Sequence, residues 1–118
     1  MKISHLVTEI EGHRSTKLVA FEGDQFVGHV DVYVKGEWAS FARLFVREDY
    51  RNKGLGSELV ETCCTIAKAG GATQIGISIA FCNEQVIPWY AKRGFDKRYE
   101  EDGCHCFTRP LPKRSHEQ

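Results

Sequence analysis

The sequence is short of several things that would assign it to a class at once. It has only three prolines and one methionine in 118 residues, and it shows no internal repeat or low-complexity stretch, so repeat arrays and disordered linkers are excluded. It lacks an excess of either charge: sixteen Lys and Arg balance sixteen Asp and Glu, with eight basic against nine acidic residues up to Leu59 and eight against seven after it. Nucleic-acid modules and polybasic membrane modules both need a concentrated positive field, and neither half supplies one. No apolar run approaches the roughly 18 residues that span a bilayer. The start, Met1 to Ile10, is interrupted by Ser4, His5, Thr8 and Glu9 and has no signal-peptide core. No C-x-x-C pair occurs. The five cysteines (Cys63, Cys64, Cys82, Cys104, Cys106) are odd in number, which suits free thiols in a reducing cytoplasm better than a disulfide framework. Cys104 and Cys106 flank His105, but no second ligand pair completes a metal set.

What is present is ordinary globular composition, 42% hydrophobic and 27% charged, in a length that suits one domain of roughly 100–200 residues. We read a single domain over residues 1–111 and a polar tail over 112–118. Lys2 to Ile10 reads as a strand and Glu11 to Thr16 as a loop. Leu18 to Phe21 and Phe26 to Val34 flank a Glu22-Gly23-Asp24-Gln25 turn, as in a hairpin. Val30, Val32 and Val34 alternate with Asp31 and Tyr33, so the valines share the buried face. After Lys35-Gly36-Glu37 the chain returns as a strand over Trp38 to Val46. From Leu55 the period becomes helical, with Leu55, Leu59, Cys63 and Ala67 on one stripe and Gly70-Gly71 at its end. Ile75, Ile77 and Ile79 alternate with Gly76, Ser78 and Ala80, a strand with one bulky and one bare face. Strand, helix, strand implies a right-handed parallel crossover. A short helix over Pro88 to Arg93 and strands over Phe95 to Glu100 and Cys104 to Leu111 complete an α+β fold with a mixed, mostly antiparallel sheet.

The stretch from Arg47 to Ser57 carries the chemistry. Gly54 and Gly56 let the backbone approach a ligand closely, and the first N–H groups of the helix that follows have no partner within it. With the partial positive charge of the helix start, and with Arg51 and Lys53 beside it, this is an anion site that suits a pyrophosphate. A Walker loop is excluded because no Gly-Lys-Ser/Thr is present, and a dinucleotide fingerprint because Leu59 stands where its third glycine belongs.

Arg51-Asn52-Lys53-Gly54-Leu55-Gly56 resembles the Arg/Gln-x-x-Gly-x-Gly/Ala signature of the GNAT superfamily of N-acetyltransferases. Asn83 to Phe95 is similar to that family's second motif, in which an Asn precedes a Tyr and a Gly-Phe pair. The two motifs stand in the family's order with helix and strand between them, and the resemblance covers roughly residues 18–111. It implies a central β-α-β unit that binds acetyl-CoA as co-substrate, without a metal. Main-chain groups of Leu44 and Val46 would face the acetyl and pantetheine portion. Those of Arg51, Asn52, Lys53, Gly54, Leu55, Gly56 and Ser57 would hold the pyrophosphate, and Asn83 would bond the pantetheine arm. Tyr90 would be the general acid at the departing sulfur. The activity implied is direct transfer of an acetyl group to a primary amine, on a protein or a small molecule. The alternative is a module of the same fold that binds acyl-CoA or a protein without turnover.

The chain departs from that family in two respects. Many members carry a carboxylate on the strand ahead of the loop, whereas this one reads Phe41-Ala42-Arg43-Leu44. An ammonium must lose a proton before it attacks, and Glu37, His29, Asp31 and His105 are the candidate bases on neighbouring elements. The usual pair of helices after the first strand is also missing, because only Glu11 to Lys17 stands between the first two strands. The acceptor side is therefore expected to be open to a protein terminus or lysine, or to be completed by a second copy in a homodimer.

Overall fold

The computed structural model describes residues 2–10, 12–80 and 86–112. Its strands are β1 (Lys2–Ile10), β2 (His13–Glu22), β3 (Gln25–Lys35), β4 (Trp38–Val46), β5 (Gln74–Ala80), β6 (Asp96–Glu101) and β7 (Cys104–Pro110). They form one sheet in the order β1-β2-β3-β4-β5-β7-β6. Every neighbouring pair is antiparallel except β4 with β5, which the helix α1 (Leu55–Ala69) joins. A second, five-residue helix, α2 (Ile87–Ala91), follows β5. The expected α+β architecture is present.

The boundary that differs most from the sequence reading is the first loop, while the second helix covers Ile87–Ala91 in place of Pro88 to Arg93 and β6 covers Asp96–Glu101 in place of Phe95 to Glu100. His13 to Thr16 is not loop but the first part of β2, paired with β1 from Ile10↔His13 to Thr8↔Ser15 and Val7↔Thr16. Polar side chains disguise this stretch, since β1 and the outer part of β2 are held by main-chain hydrogen bonds that need no apolar pattern. The first two strands are thus a hairpin, and no helix pair covers this end of the sheet.

Both helices lie on one face of the sheet. Val30, Val32 and Val34 face α1 and are buried, together with Leu18, Ala20, Phe41 and Ile75. The stripe Leu55, Leu59, Val60, Cys63 and Ala67 packs onto them. Gly28 makes the seat possible: a Cβ there would stand 2.8 Å from the Phe45 carbonyl oxygen and 3.3 Å from Leu55. Arg109 on β7 reaches Glu61 on α1 with N···O distances of 2.6 and 3.2 Å. The other face carries no helix among the described residues. Alternation gives it Lys17, Asp31, Tyr33, Trp38 and Phe45. Among the described residues no helix is long and apolar enough to cross a membrane.

Cys63 and Cys64 are buried on α1. Burial raises both thiols above their usual value, Cys64 to about 11. The folded thiols hold protons that the unfolded chain releases near pH 9, so their contribution to stability is complete below that pH and is lost as pH rises through about 11. Thermal melts should therefore give a flat Tm from pH 7 to about 8.5 and a decline above it. Replacing both residues by Ala should make that decline shallower; an unchanged slope would show that other groups govern alkaline stability.

Candidate functional site

The site is built around an opening in the sheet. β4 and β5 pair over only three positions, Trp38↔Gln74, Ala39↔Ile75 and Ser40↔Gly76. Beyond Ser40, β4 continues to Val46 with β3 as its only ladder partner among the described residues. A register shift opposite His29 and Asp31 marks a bulge in β4, where Arg43 takes the left-handed conformation at φ 57°. Past the bulge, the Arg47 N–H donates to the Val27 carbonyl at 2.8 Å. Antiparallel alternation then turns the main-chain groups of Leu44 and Val46 away from β3 and toward the opening. On the helix-free face Trp38 lies across Gly76, where a Cβ would meet its ring at 3.0 Å.

The loop after β4 begins with a 3₁₀ turn over Glu48–Tyr50. Asp49 is held by Arg47 at 2.7 and 2.6 Å, and this hydrogen bond holds its carboxyl below the usual range despite some desolvation. Arg51 Nε donates to the Val46 carbonyl at 2.9 Å, so Arg51 closes the strand end while its side chain stays at the surface. The Arg47 guanidinium and the Lys53 ammonium both lie over the Tyr50 ring, at 5.2 and 5.5 Å. An open cavity of about 530 Å3 is lined here by Glu22, Asp49, Tyr50, Lys53 and Leu55.

Asn52 and Gly54 both have positive φ, 63° and 87°. Asn tolerates that region and Gly adopts it without strain, and together they turn the chain into α1. Gly54 is the N-cap, and no side chain caps the helix. The first helical bond runs from the Glu58 N–H to the Gly54 carbonyl at 3.0 Å. This leaves the N–H groups of Leu55, Gly56 and Ser57 without partners inside the helix. Leu55 contributes only its main chain, since its side chain is buried in the core.

The helix α2 stands against this helix start. Gly56 gives it room, because a Cβ there would stand 3.4 Å from the Trp89 ring. Arg93 ties the two helices together: its Nε donates to Ser57 Oγ at 2.9 Å, its Nη1 donates to the Trp89 carbonyl at 2.8 Å, and its guanidinium stacks on the Trp89 ring at 3.6 Å. Tyr90 is buried among Trp89, Phe95 and Phe41, with centroids 4.8, 5.8 and 6.1 Å away. Burial raises its phenol to about 12, partly offset by Arg93. Asn83 and Cys82 lie outside the described residues.

The four candidate bases separate by position. Glu37 lies in the turn at the far end of β4 from the loop. His105 is buried on the helix face of β7, with its Nδ1 3.4 Å from Glu100. His29 and Asp31 are on the helix-free face of β3, beside the bulge. His29 stacks on Phe26 and Phe45, and its buried Nδ1 has no hydrogen-bond partner among the described residues. The alternating pattern gives Asp31 as a solvent-facing strand residue, yet it is 5% exposed. The stems of Lys17 and Arg43 cover it, and their charged ends meet its carboxylate at 3.4 and 2.7 Å. Desolvation works against its charge, but the Arg43 hydrogen bond and Lys17 outweigh it and hold the carboxyl below the usual range. The sequence reading missed both this pair and the Arg93 tie; an arginine at i+4 from a tryptophan across a helix end was the available signal for the latter.

The opening between parallel strands, the uncapped helix start and the aromatic helix beside it are the features that comparison with known proteins bears on. The acetyltransferase (GNAT) family model matches residues 3–95. A thialysine N-epsilon-acetyltransferase of Bos taurus is 26% identical over 73 residues, covering 62% of this chain and 43% of that protein. A Bacillus subtilis protein named uncharacterized N-acetyltransferase YhfO is 27% identical over 103 residues, covering 82% of this chain and 66% of its own. The crystal structure of the PaiA N-acetyltransferase of Thermoplasma acidophilum in complex with coenzyme A shares the fold with a TM-score of 0.76 and 20% identity over 81% of this chain and 60% of that one. The chain belongs to the GNAT acetyltransferase family. It spans less than two thirds of the length of each of these relatives.

Arg93→Ala removes the one hydrogen bond to Ser57 on α1, together with the bond to the Trp89 carbonyl and the stack on the Trp89 ring at the end of α2. Thermal or denaturant unfolding should show a loss of roughly 1–3 kcal/mol, together with greater quenching of Trp89 fluorescence by acrylamide. A variant as stable as the parent would show that Arg93 does not join the helices.

Proposed function

We propose that this chain transfers an acetyl group from acetyl-CoA to a primary amine by direct attack within a ternary complex. The observation that carries this reading is the opening of β4 from β5 beyond Ser40 and Gly76, next to a helix start with no side-chain cap. The open N–H groups behind Gly54, with Arg51, Asn52 and Lys53 at the turn, suit the pyrophosphate. The main chain of Leu44 and Val46 suits the amide-bearing pantetheine arm, which would add hydrogen bonds where β5 no longer does. Asn83 is assigned to the same arm from the family motif. The free cysteines suit a reducing cytoplasm, and the helix-free face leaves room for the acceptor or, in a homodimer, for a second copy.

In the reaction the amine nitrogen bonds to the thioester carbon, the C–S bond breaks, and the electron pair leaves on sulfur. Tyr90 is the group assigned to that sulfur. With its phenol near 12 and an ordinary thiol near 8.5, complete proton transfer is uphill by roughly 5 kcal/mol. Its contribution is therefore a hydrogen bond to the developing thiolate more than a delivered proton. On the other side, Asp31 is committed to Arg43 and Lys17, so the acceptor draws on its own neutral fraction. Plots of kcat/KM against pH should rise about tenfold per unit and level off at the acceptor's own pKa, near 10.4 for a lysine-type amine and about 8 for an α-amine. A plateau at one fixed pH for every acceptor would reveal an enzyme base instead.

A second reading, an acyl-CoA-binding module without turnover, is favoured by the lack of an acidic residue in Phe41-Ala42-Arg43-Leu44, the stretch where many family members carry a carboxylate. Two variants decide between the readings. Gly54→Val forces a β-branched residue to φ 87° and should abolish coenzyme A binding in calorimetry, while the far-UV spectrum is kept. Tyr90→Phe should retain that binding and lower acetyl transfer by about 100-fold. Binding of acetyl-CoA with no transfer to a broad amine panel would establish the module, and undiminished binding by Gly54→Val would show that the ligand is misplaced.

A further inference from the structure

We infer that Arg43 is the specificity residue of the acceptor side, and that the acceptor it selects is a small primary amine that carries a carboxylate, of amino-acid type. The inference rests on the acetyl-transfer reading. In that reading the cofactor's pyrophosphate lies at the start of α1 and the thioester lies beside Leu44. The helices cover one face of the opening, so the acceptor must reach the thioester from the other face. Arg43 is the residue next to Leu44, and the salt bridge to Asp31 places its side chain on that helix-free face.

The charge there has a definite sign. Lys17 and Arg43 are half or more exposed, at 50% and 62% of their side chains, whereas the Asp31 between them is only 7% exposed. One buried negative charge thus lies beneath two presented positive ones. The floor beside them has no charge of its own: Trp38, Ser40 and Ala42 on β4, Gly76 and Ser78 on β5, and Cys106 on β7, with Ser78 Oγ 3.6 Å from Cys106 Sγ. An incoming polyamine or lysine would meet like charge here, and the Asp31 carboxylate is already taken. A carboxylate would meet unlike charge and an available donor.

Arg43 is built to receive it. Its Nε donates to Asp31 at 2.7 Å and its Nη2 to the Tyr33 hydroxyl, with the guanidinium 5.9 Å from the Tyr33 ring centroid. These two bonds fix the plane of the fork. Among the described residues Nη1 has no hydrogen-bond partner, so the fixed fork presents a preorganised donor at the surface. Asp31 and Tyr33 position Arg43; Arg43 itself touches the ligand.

The test uses the N-acetyl derivatives of glycine, leucine and phenylalanine, each as free acid and as carboxamide. These are the products of transfer, so their binding needs no turnover and no titrating amine. Calorimetry on the full chain saturated with coenzyme A should show at least one acid bound about tenfold or more tighter than its amide. Arg43→Asn should erase that preference and leave coenzyme A affinity and the far-UV spectrum unchanged, since Asn tolerates the left-handed backbone at this position. Asp31→Asn, which removes the carboxylate that fixes the Arg43 fork, should weaken the preference and leave coenzyme A affinity unchanged; a preference as large as the parent's would overturn the positioning role of Asp31. Acids bound no better than amides, acids not bound at all, or a preference that survives Arg43→Asn would each overturn the inference. If coenzyme A itself does not bind, the acetyl-transfer reading has failed; the acid and amide series measured on the chain alone then gives its own answer about Arg43.

Discussion

Everything at the candidate site depends on where β4 stops pairing with β5. Two parallel strands that stayed paired to their ends would satisfy each other's main chain and leave nothing for a ligand. Here the ladder ends after three pairs, and the bulge at Arg43 turns β4 away while β3 keeps hold of it. Bulges raise local twist and re-aim side chains, and this one does both: it opens the gap beyond Gly76 and turns Arg43 back over Asp31. A non-glycine residue at φ 57° is a local conformational cost of order 1 kcal/mol. Its ion pair with Asp31 and its bond to Tyr33 offset that cost, so the opening and the charged cluster are one structural feature.

The rest of the core fixes that opening in place. Gly28 leaves room for Leu55 and Leu59 of α1 and for the Phe45 carbonyl of β4, so the helix start is seated on β3 beside the end of β4. Arg93 then joins the same helix start to α2 through Ser57 and Trp89. The three uncapped N–H groups are therefore held on both sides by buried packing, and their direction does not depend on a mobile loop. Burial of Tyr90 between Phe41 and Phe95 places its phenol by the same packing. That burial raises the phenol's pKa, which in the proposed reaction would confine it to supporting charge on sulfur.

Much of this was legible in the sequence, for a physical reason. α1 and β5 announce themselves because their apolar periods of 3.6 and 2 come from one buried face each, whereas the glycines of Arg51 to Gly56 would serve an ordinary turn equally well and this segment stands out through its resemblance to a family motif paired with Asn83 to Phe95. The hairpin start at His13 was hidden, since main-chain pairing there leaves no side-chain signature. Asp31 was misread for a subtler reason. Alternation assigns a residue to a face, and the face was assigned correctly; what alternation does not contain is whether long basic side chains from neighbouring strands will close over it. The partners Lys17 and Arg43 are 14 and 12 residues away in sequence, and only the register Lys17↔Asp31↔Ala42 brings them together.

The hairpin in place of a helix pair changes what can select an acceptor. Helices packed over the sheet would supply walls and depth, and selectivity could then come from shape. On a helix-free face the contact area is small, with Trp38 and Phe45 exposed at 44% and 38%, and apolar burial alone gives little discrimination between acceptors of similar size. What remains is charge held in a fixed geometry. Charge presented by flexible surface lysines is largely screened and contributes little. A guanidinium whose plane is set by a buried carboxylate and a phenol keeps its direction and loses less entropy on binding. In the proposed reaction the strands themselves would carry recognition, and Arg43 combines charge, fixed orientation and adjacency to Leu44.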